Sequence, residues 1–462
     1  MDNYFIYDVE QCQTFEQLME TAVERFDCRI LFENETNRWT YSDIHKMIKA
    51  VSTNYFARFD RQMFGLRINN LANYTVLLFS IIITGNIAVL IDEFYTGIEE
   101  DCTNSFDDDL AEQVIKKCVG SSFINPHILR RGAPEDVSII AHSSGTTSVC
   151  KNVMLSQKNV LDDAVSCMRR YKFDESAVYF SIIPHTHLFG LVGDVLIPMH
   201  SGAKVCFSKS KYSFFRDLQT FQPTNLNVPP LILSEISRKM KTIEAGWRIT
   251  GGRLAKVICS GAALNPTIID EFLQHDICIY TAYGLTECSP CVTLSSELSS
   301  RKGSVGKPID CCDIKIVDGE VLVRGSNVMK GYYNDPIATK TVVRDGWLHT
   351  GDIGYFDDGY LFLAGRKTNL IVFDDGKKIV PEIVEAKIAQ ATNFRECVVR
   401  ESLRGLKSRI AIEVWRKNED ATRDNEEKVV AILSEFGIAH RFDGIIYRDY
   451  PFEKTALGKI IR

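Results

Sequence analysis

The chain has 462 residues, 45% hydrophobic and 25% charged, the balance of a soluble globular protein, and its length suits about three folding units. A net charge of -6 with no long basic run excludes nucleic acid as an expected partner, while an anionic ligand requires only local positive charge. The 14 cysteines frame no disulfide scaffold, and Met1-Asp2-Asn3-Tyr4 lacks the basic start and apolar core of a secretory signal, so reduced thiols in a cytoplasmic enzyme are expected.

In chain order, Phe15, Leu18, Met19, Ala22 and Phe26 fall on one face and predict an amphipathic helix over 15–26. Trp39-Thr40-Tyr41 reads as a short strand, with Ser42 capping a helix from Asp43 to Phe56. Tyr74 to Ile91 is apolar but is broken at Gly85-Asn86, which favours a buried helix ending at Gly85 and a strand over 87–91 rather than a membrane span. Glu93 to Asp109 is acidic and reads as a surface loop. From Val137 the strand–helix alternation of an α/β layer protein resumes, with strands at 137–141, 178–183, 204–207, 225–228, 255–260 and 278–282. Short strands and turns dominate 314–363, Asp374-Asp375-Gly376 predicts a hairpin over 371–379, and a small α/β unit runs to the end. Cys288-Ser289-Pro290-Cys291 and Cys311-Cys312 match no familiar zinc spacing.

Five places carry possible chemistry. Ser143-Ser144-Gly145-Thr146-Thr147-Ser148-Val149-Cys150-Lys151 follows an apolar strand and offers hydroxyl and amide donors plus one lysine, as a polyphosphate requires; alone, it reads equally as a polar turn. It is not the Walker loop, because Cys150 stands where that motif needs its second glycine and Asn152 follows Lys151. Tyr283-Gly284-Leu285-Thr286-Glu287 follows a strand, at the end where α/β sheets bind ligands. There Glu287 suits Mg²⁺ and Tyr283 suits a base; a helix start is the competing reading. Thr350-Gly351-Asp352 suits ribose hydroxyls but taken alone reads better as an Asp turn. Gly365-Arg366-Lys367 and the closing Lys454-Thr455-Ala456-Leu457-Gly458-Lys459 complete the set.

These segments, in this order, resemble the motifs of the adenylate-forming (AMP-binding) superfamily, and the chain looks most like its acyl-CoA synthetases and fatty-acid–CoA ligases. The hydroxyl-rich loop resembles the family signature, Ser260-Gly261-Ala262-Ala263-Leu264 its adenine-contacting segment, and Tyr283 to Glu287 its Tyr-Gly-x-Thr-Glu. Trp39 to Asp43 fits a weaker opening motif. The implied fold is a large multi-layer α/β N-terminal domain, residues 1–365, followed by a small mobile α+β C-terminal domain, residues 366–462.

The resemblance implies that a carboxylic acid, fatty or aryl, is joined to AMP from ATP with loss of pyrophosphate and passed to the thiol of CoA; the alternative acceptor is the phosphopantetheine of an acyl or peptidyl carrier protein. By the same carry-over, Ser143, Ser144, Gly145, Thr146, Thr147 and Lys151 hold phosphates, Gly261, Ala262, Tyr283 and Gly284 hold adenine, and Asp352 and Arg366 hold ribose. Glu287 holds Mg²⁺, Thr286 contacts the α-phosphate, and Lys459 bridges the carboxylate and α-phosphate. Lys367 falls at the hinge and Gly376 faces the pantetheine arm. Pro184-His185-Thr186-His187-Leu188-Phe189-Gly190 resembles the acid-site segment of acyl- and aryl-CoA synthetases, which puts His187 among the catalytic residues; its lack of Asp argues against an α-amino acid, and a structural histidine is the bland reading. The residues after Asn225 are expected to line the acyl pocket. The chain departs from the family at Ser148, Cys150, Asn152 and Glu453, where glycine, proline, glycine and proline are usual, which implies a stiffer loop or a specialised acceptor. A non-enzymatic nucleotide-binding relic is disfavoured, because Lys151, Glu287, Asp352, Arg366 and Lys459 are all retained.

Overall fold

The computed structural model describes residues 12–91, 97–121, 131–143, 150–171, 175–208, 213–240, 242–262, 264–296, 301–404, 407–415, 423–455 and 460–462. The chain divides into two compact units, one of Met1–Ile314 with Val323–Leu348 and one of Lys315–Leu322 with His349–Arg462. This division follows packing and takes in strand residues that precede the expected hinge at 365/366.

The large unit is built on two sheets. The first has nine strands in the order Lys307–Pro308, Thr293–Leu294, Cys278–Tyr283, Lys256–Cys259, Asn225–Val228, Val178–Ser181, Lys204–Phe207, Ile30–Glu33 and Arg38–Thr40. Its six central strands, from Cys278–Tyr283 to Ile30–Glu33, are parallel. Parallel strands are covered on both faces, so they read as short continuous apolar runs, and these strands were legible for that reason. The second sheet runs Gly331–Tyr332, Asn152–Ser156, Val137–His142, Ile87–Leu90, Met63–Leu66, Asn104–Phe106. The predicted buried helix spans Leu71–Ile83 with Asn70 as its cap, and only Asn73 escapes burial. Among the described residues no helix is long and apolar enough to cross a membrane.

Two expectations are corrected here. The second helix is Tyr41–Asn54, capped by Thr40 rather than Ser42. Asp43, three residues after Thr40, bonds back to the Thr40 amide at 2.9 Å while the Thr40 hydroxyl accepts the Asp43 N–H at 3.1 Å, a reciprocal pair that Ser42 lacks. Tyr41 is then fully buried, its hydroxyl donating to the carbonyls of Pro198 and Ala203. The acidic stretch 93–109 is not simply a loop: Asn104–Phe106 joins the second sheet parallel to Met63–Leu66, and a helix follows over Asp108–Val119. Its acids serve the helix start, where Asp107 caps the Leu110 N–H and Asp108 and Asp109 oppose the positive end of the dipole.

The small unit holds a three-stranded sheet, Glu396–Arg404, Lys407–Trp415 and Phe442–Arg448, packed with the helices Pro381–Ala391 and Arg423–Glu435. The core comprises Val384, Ile388, Ile410, Ile412, Val414, Val429 and Leu433 among others. The predicted hairpin pairs Ile371 with Ile379 and Val372 with Lys378, and Gly376 turns it at φ +80°. A Cβ at Gly376 would meet nothing within 4 Å, so glycine serves the left-handed backbone there rather than space.

Candidate functional site

Four neighbouring parallel strands of the large unit end in the segments singled out from the sequence. Val178–Ser181 leads to Pro184-His185-Thr186-His187, Asn225–Val228 to Pro229-Pro230, Lys256–Cys259 to Gly261-Ala262, and Cys278–Tyr283 to Gly284-Leu285-Thr286-Glu287. Their registers, for example Val228↔Cys259 and Cys259↔Thr281, set these segments side by side at the carboxyl ends, the edge where open α/β sheets bind ligands. His187 precedes the short helix Leu188–Leu191, and its carbonyl accepts the Gly190 N–H at 2.9 Å. The neighbouring His185 is half-buried: its Nε2 lies 3.3 Å from the Asn69 carbonyl, and burial pulls the ring down to about 4. Gly261 sits at φ +94°, and Tyr283 is buried at the end of its strand.

The hydroxyl-rich loop joins antiparallel strands, not a strand and a helix, which separates it from a Walker loop by topology as well as by sequence. Ser144, Gly145, Thr146 and Thr147 lie outside the described residues. The base of the loop is closed by Ser143 N–H to the Lys151 carbonyl at 2.9 Å and Lys151 N–H to the Ser143 hydroxyl at 3.2 Å, in line with the pair His142↔Asn152.

Lys151, Thr286 and Glu287 are brought together. Thr286 Oγ1 donates to the His142 carbonyl at 3.3 Å, so the segment after Tyr283 touches the strand that feeds the loop. Lys151 Nζ lies 4.6 Å from the ring centre of Tyr332, and the Tyr332 hydroxyl donates to Glu287 Oε1 at 2.9 Å. Burial first, then the Glu287 carboxylate, pushes the Tyr332 phenol well above its ordinary range, which keeps it a donor. The Glu287 carbonyl also accepts the Met329 N–H at 3.0 Å. Among the described residues Glu287 is met by the Tyr332 hydroxyl and by no ion pair, and its half-buried carboxylate is a hard oxygen donor that suits Mg²⁺. Among the described residues no group of three or more His, Cys, Asp or Glu could hold a metal ion, so a cation at Glu287 would need its other ligands from phosphate or water, as Mg²⁺ commonly does. Gly284 is fixed by close approach: a Cβ there would stand 1.7 Å from the Pro290 carbonyl oxygen.

Behind this segment, Asp163 is fully buried and accepts the Cys291 N–H at 3.0 Å and Asn327 Nδ2 at 3.4 Å, while Asn327 Nδ2 also donates to the Cys291 carbonyl at 2.8 Å. Burial drives the Asp163 carboxyl well up. Cys288, Cys291 and Cys312 are buried, and all 14 cysteines are free thiols.

In the small unit Asp352 and Arg366 pair across antiparallel strands, with Arg366 Nε 2.7 Å from Asp352 Oδ1. Glu320, which the sequence reading passed over, organises this pair's surroundings. Its carboxylate accepts Gly351 N–H at 3.1 Å, Lys367 Nζ at 2.9 Å and, at 3.4 Å, faces His349 Nδ1. Burial raises the Glu320 carboxyl, but the Lys367 ammonium, the His349 ring and the Gly351 N–H together hold it below its ordinary value. Lys367, expected at the hinge, is thus tied through Glu320 to Thr350-Gly351-Asp352, which lies within the strand Trp347–Asp357 and is not the Asp turn that the segment alone suggested. Lys459 lies outside the described residues; the base of its loop is closed by the bridge Lys454↔Ile460 and by Ile461 N–H to the Glu453 carbonyl at 2.9 Å.

The sequence profile of the family described as AMP-binding enzyme matches residues 88–333. A probable CoA ligase of Humulus lupulus is 31% identical over 353 residues, 71% of this chain and 65% of that protein. A 4-coumarate–CoA ligase of Oryza sativa subsp. japonica is 28% identical over 363 residues, 71% of this chain and 63% of that protein. The chain therefore spans less than two thirds of either relative's length. The crystal structure of ATP-bound MatB from Rhodopseudomonas palustris superposes with a TM-score of 0.83 at 18% identity, covering 96% of both chains, and shows the same fold.

Proposed function

Because the chain belongs to the AMP-binding enzyme family, we propose that it activates a carboxylic acid, fatty or aryl, with ATP to an acyl adenylate and passes the acyl group to the thiol of CoA. The observation that carries this reading is the meeting of Lys151 and Glu287 around Tyr332, which gives one cation and one open carboxylate at the base of a donor-rich loop. The name CoA ligase, carried by both relatives above, supports CoA over a carrier protein as acceptor. The coumarate ligase supports an aryl acid, and the stretch from Gly365 to Val372 supports a fatty acid. The free thiols suit a reducing compartment such as the cytoplasm.

In the first step a carboxylate oxygen bonds to the α-phosphorus, the bridging α–β P–O bond breaks, and pyrophosphate leaves. Both partners are anionic, so the chain's task is positioning and neutralisation. Lys151, with Thr146 and Thr147, holds the outer phosphates; Thr286 contacts the α-phosphate; Tyr283 packs on adenine; the Asp352–Arg366 pair binds ribose. Glu287 would hold Mg²⁺, which when bound neutralises charge on the phosphates. Lys459 bridges the acid's carboxylate and the α-phosphate. In the second step the thiol sulfur bonds to the acyl carbon, AMP leaves, and the thiol proton goes to solvent. A hinge at 365/366, turning the small domain between the steps, and passage of the thiol arm beside Gly376 complete the proposal.

Lys459→Ala tests the division of labour. Adenylate formation is expected to fall about 10²–10³-fold, while preformed acyl-AMP is still converted to acyl-CoA. Equal loss in both steps removes Lys459 from the first. Offering free CoA beside a phosphopantetheinylated carrier protein decides the acceptor: faster turnover with the carrier overturns the CoA assignment.

A further inference from the structure

We propose that Tyr332 is a positioning residue of the nucleotide site, one ring that aims the Glu287 carboxylate by a single oxygen and seats Lys151 on its face. The inference rests on the ligase reading above and adds to it a residue outside the segments singled out from the sequence.

The geometry is specific. Tyr332 lies on the two-residue strand Gly331–Tyr332, which pairs antiparallel with Asn152–Ser156, the strand entered directly from Lys151. Tyr332 pairs with Val153, the Tyr333 N–H donates to the Asn152 carbonyl at 2.8 Å, and the Tyr332 N–H donates to Thr339 Oγ1 at 2.9 Å. The backbone of Tyr332 is thus fixed to the strand that Lys151 leads into, and its side chain is buried at 6% exposure. From that anchor the ring has Lys151 Nζ over its face at 4.6 Å and its hydroxyl on Glu287 Oε1 at 2.9 Å. Among the described residues Oε2 of Glu287 accepts no hydrogen bond. One oxygen is therefore occupied by a neutral donor, and the other is where a cation would bind. A lysine or arginine in place of the phenol would cancel the charge that a cation needs; a phenol orients the carboxylate and leaves its charge intact. The face contact holds the ammonium at the base of the loop, and among the described residues it has no anionic partner that phosphate would have to displace.

The test uses the full chain and a non-hydrolysable ATP analogue, titrated calorimetrically with and without Mg²⁺, alongside thermal melting. Tyr332→Phe keeps the ring and removes the hydroxyl. It is expected to weaken the Mg²⁺ dependence of analogue binding by about 10- to 100-fold, with metal-free binding and melting temperature unchanged. Tyr332→Leu removes the ring as well and should in addition weaken metal-free binding about threefold. In a Glu287→Gln background, Tyr332→Phe should change the metal dependence no further. Wild-type metal dependence in Tyr332→Phe, or an equal loss with and without metal, overturns the proposal. So does an undiminished effect of Tyr332→Phe in the Glu287→Gln background. A wild-type chain that exchanges pyrophosphate while Tyr332→Phe leaves metal dependence untouched sinks this inference alone; a chain that exchanges with no acid sinks the ligase reading instead.

Discussion

Glu287 in the large unit and Glu320 in the small one are both partly withdrawn from water, yet they are dressed in opposite ways. Glu287 is met by a neutral phenol, and Glu320 by an ammonium, an imidazole and a backbone N–H. A carboxylate that is to receive a cation must keep its charge uncancelled. One that braces a neighbouring strand must have its charge cancelled, or its burial would oppose folding. The contrast separates a ligand-facing acid from a structural acid within one chain, and three substitutions probe it.

The largest effect is expected from Glu287→Gln. It preserves shape and the phenol contact but removes the charge, so pyrophosphate exchange should fall about 10²–10³-fold at an unchanged melting temperature. Glu320→Gln should do the reverse. Lys367 and His349 would lose their anion, and stability should fall by about 2 kcal/mol while residual exchange per folded molecule is largely kept. The sign of its pH dependence follows from the depressed carboxyl. The stabilisation is present above the ordinary glutamate range and is lost as pH falls through the native value, so an acid melt of the wild type should lose more stability there than one of Glu320→Gln.

The smallest effect, and the one of opposite sign, belongs to Asp194. It is buried in the large unit, accepting Ser181 Oγ at 2.8 Å and Asn227 Nδ2 at 2.7 Å, and burial lifts it to about 7 despite both bonds. Here the native state holds the proton more tightly than the unfolded chain. The stabilisation is present below the unfolded value and is lost as pH rises toward 7 and beyond. Asp194→Asn, neutral at every pH, should flatten the decline in melting temperature between pH 5 and pH 8, with a gain of about 2 kcal/mol at the upper end. An unchanged slope would mean that Asp194 does not titrate in that window.

Local chemistry made much of the fold legible. Runs such as Val-Cys-Phe at 205–207 and Leu-Asn-Val at 226–228 announced buried parallel strands, and Asp375-Gly376 announced its hairpin. What was misread also had a local cause: two hydroxyl residues, Thr40 and Ser42, compete for one cap, and only the reciprocal bond from Asp43 decides between them. An acidic stretch looked like a loop because a three-residue strand ending in Phe106 carries almost no periodic signal. In the site, Lys151 and Glu287 stood out by type and order. Tyr332 did not, because its partners are 45 residues away at Glu287 and across a strand pairing at Lys151, and a tyrosine in Gly-Tyr-Tyr announces neither. Glu320 was hidden likewise, since Glu after an Asp-Gly turn looks solvated until Lys367 and His349 are placed against it.

The central claim is adenylate formation at the site that Glu287 marks. ATP–pyrophosphate exchange over a panel of aliphatic, aryl and amino acids, run on wild type beside Glu287→Gln and Glu320→Gln, tests it most directly. Exchange with a fatty or aryl acid, lowered about 10²–10³-fold in the first variant and retained per folded molecule in the second, is the predicted result. Folded wild-type protein that exchanges with none of the acids, or a Glu287→Gln variant that exchanges at the wild-type rate, would contradict it.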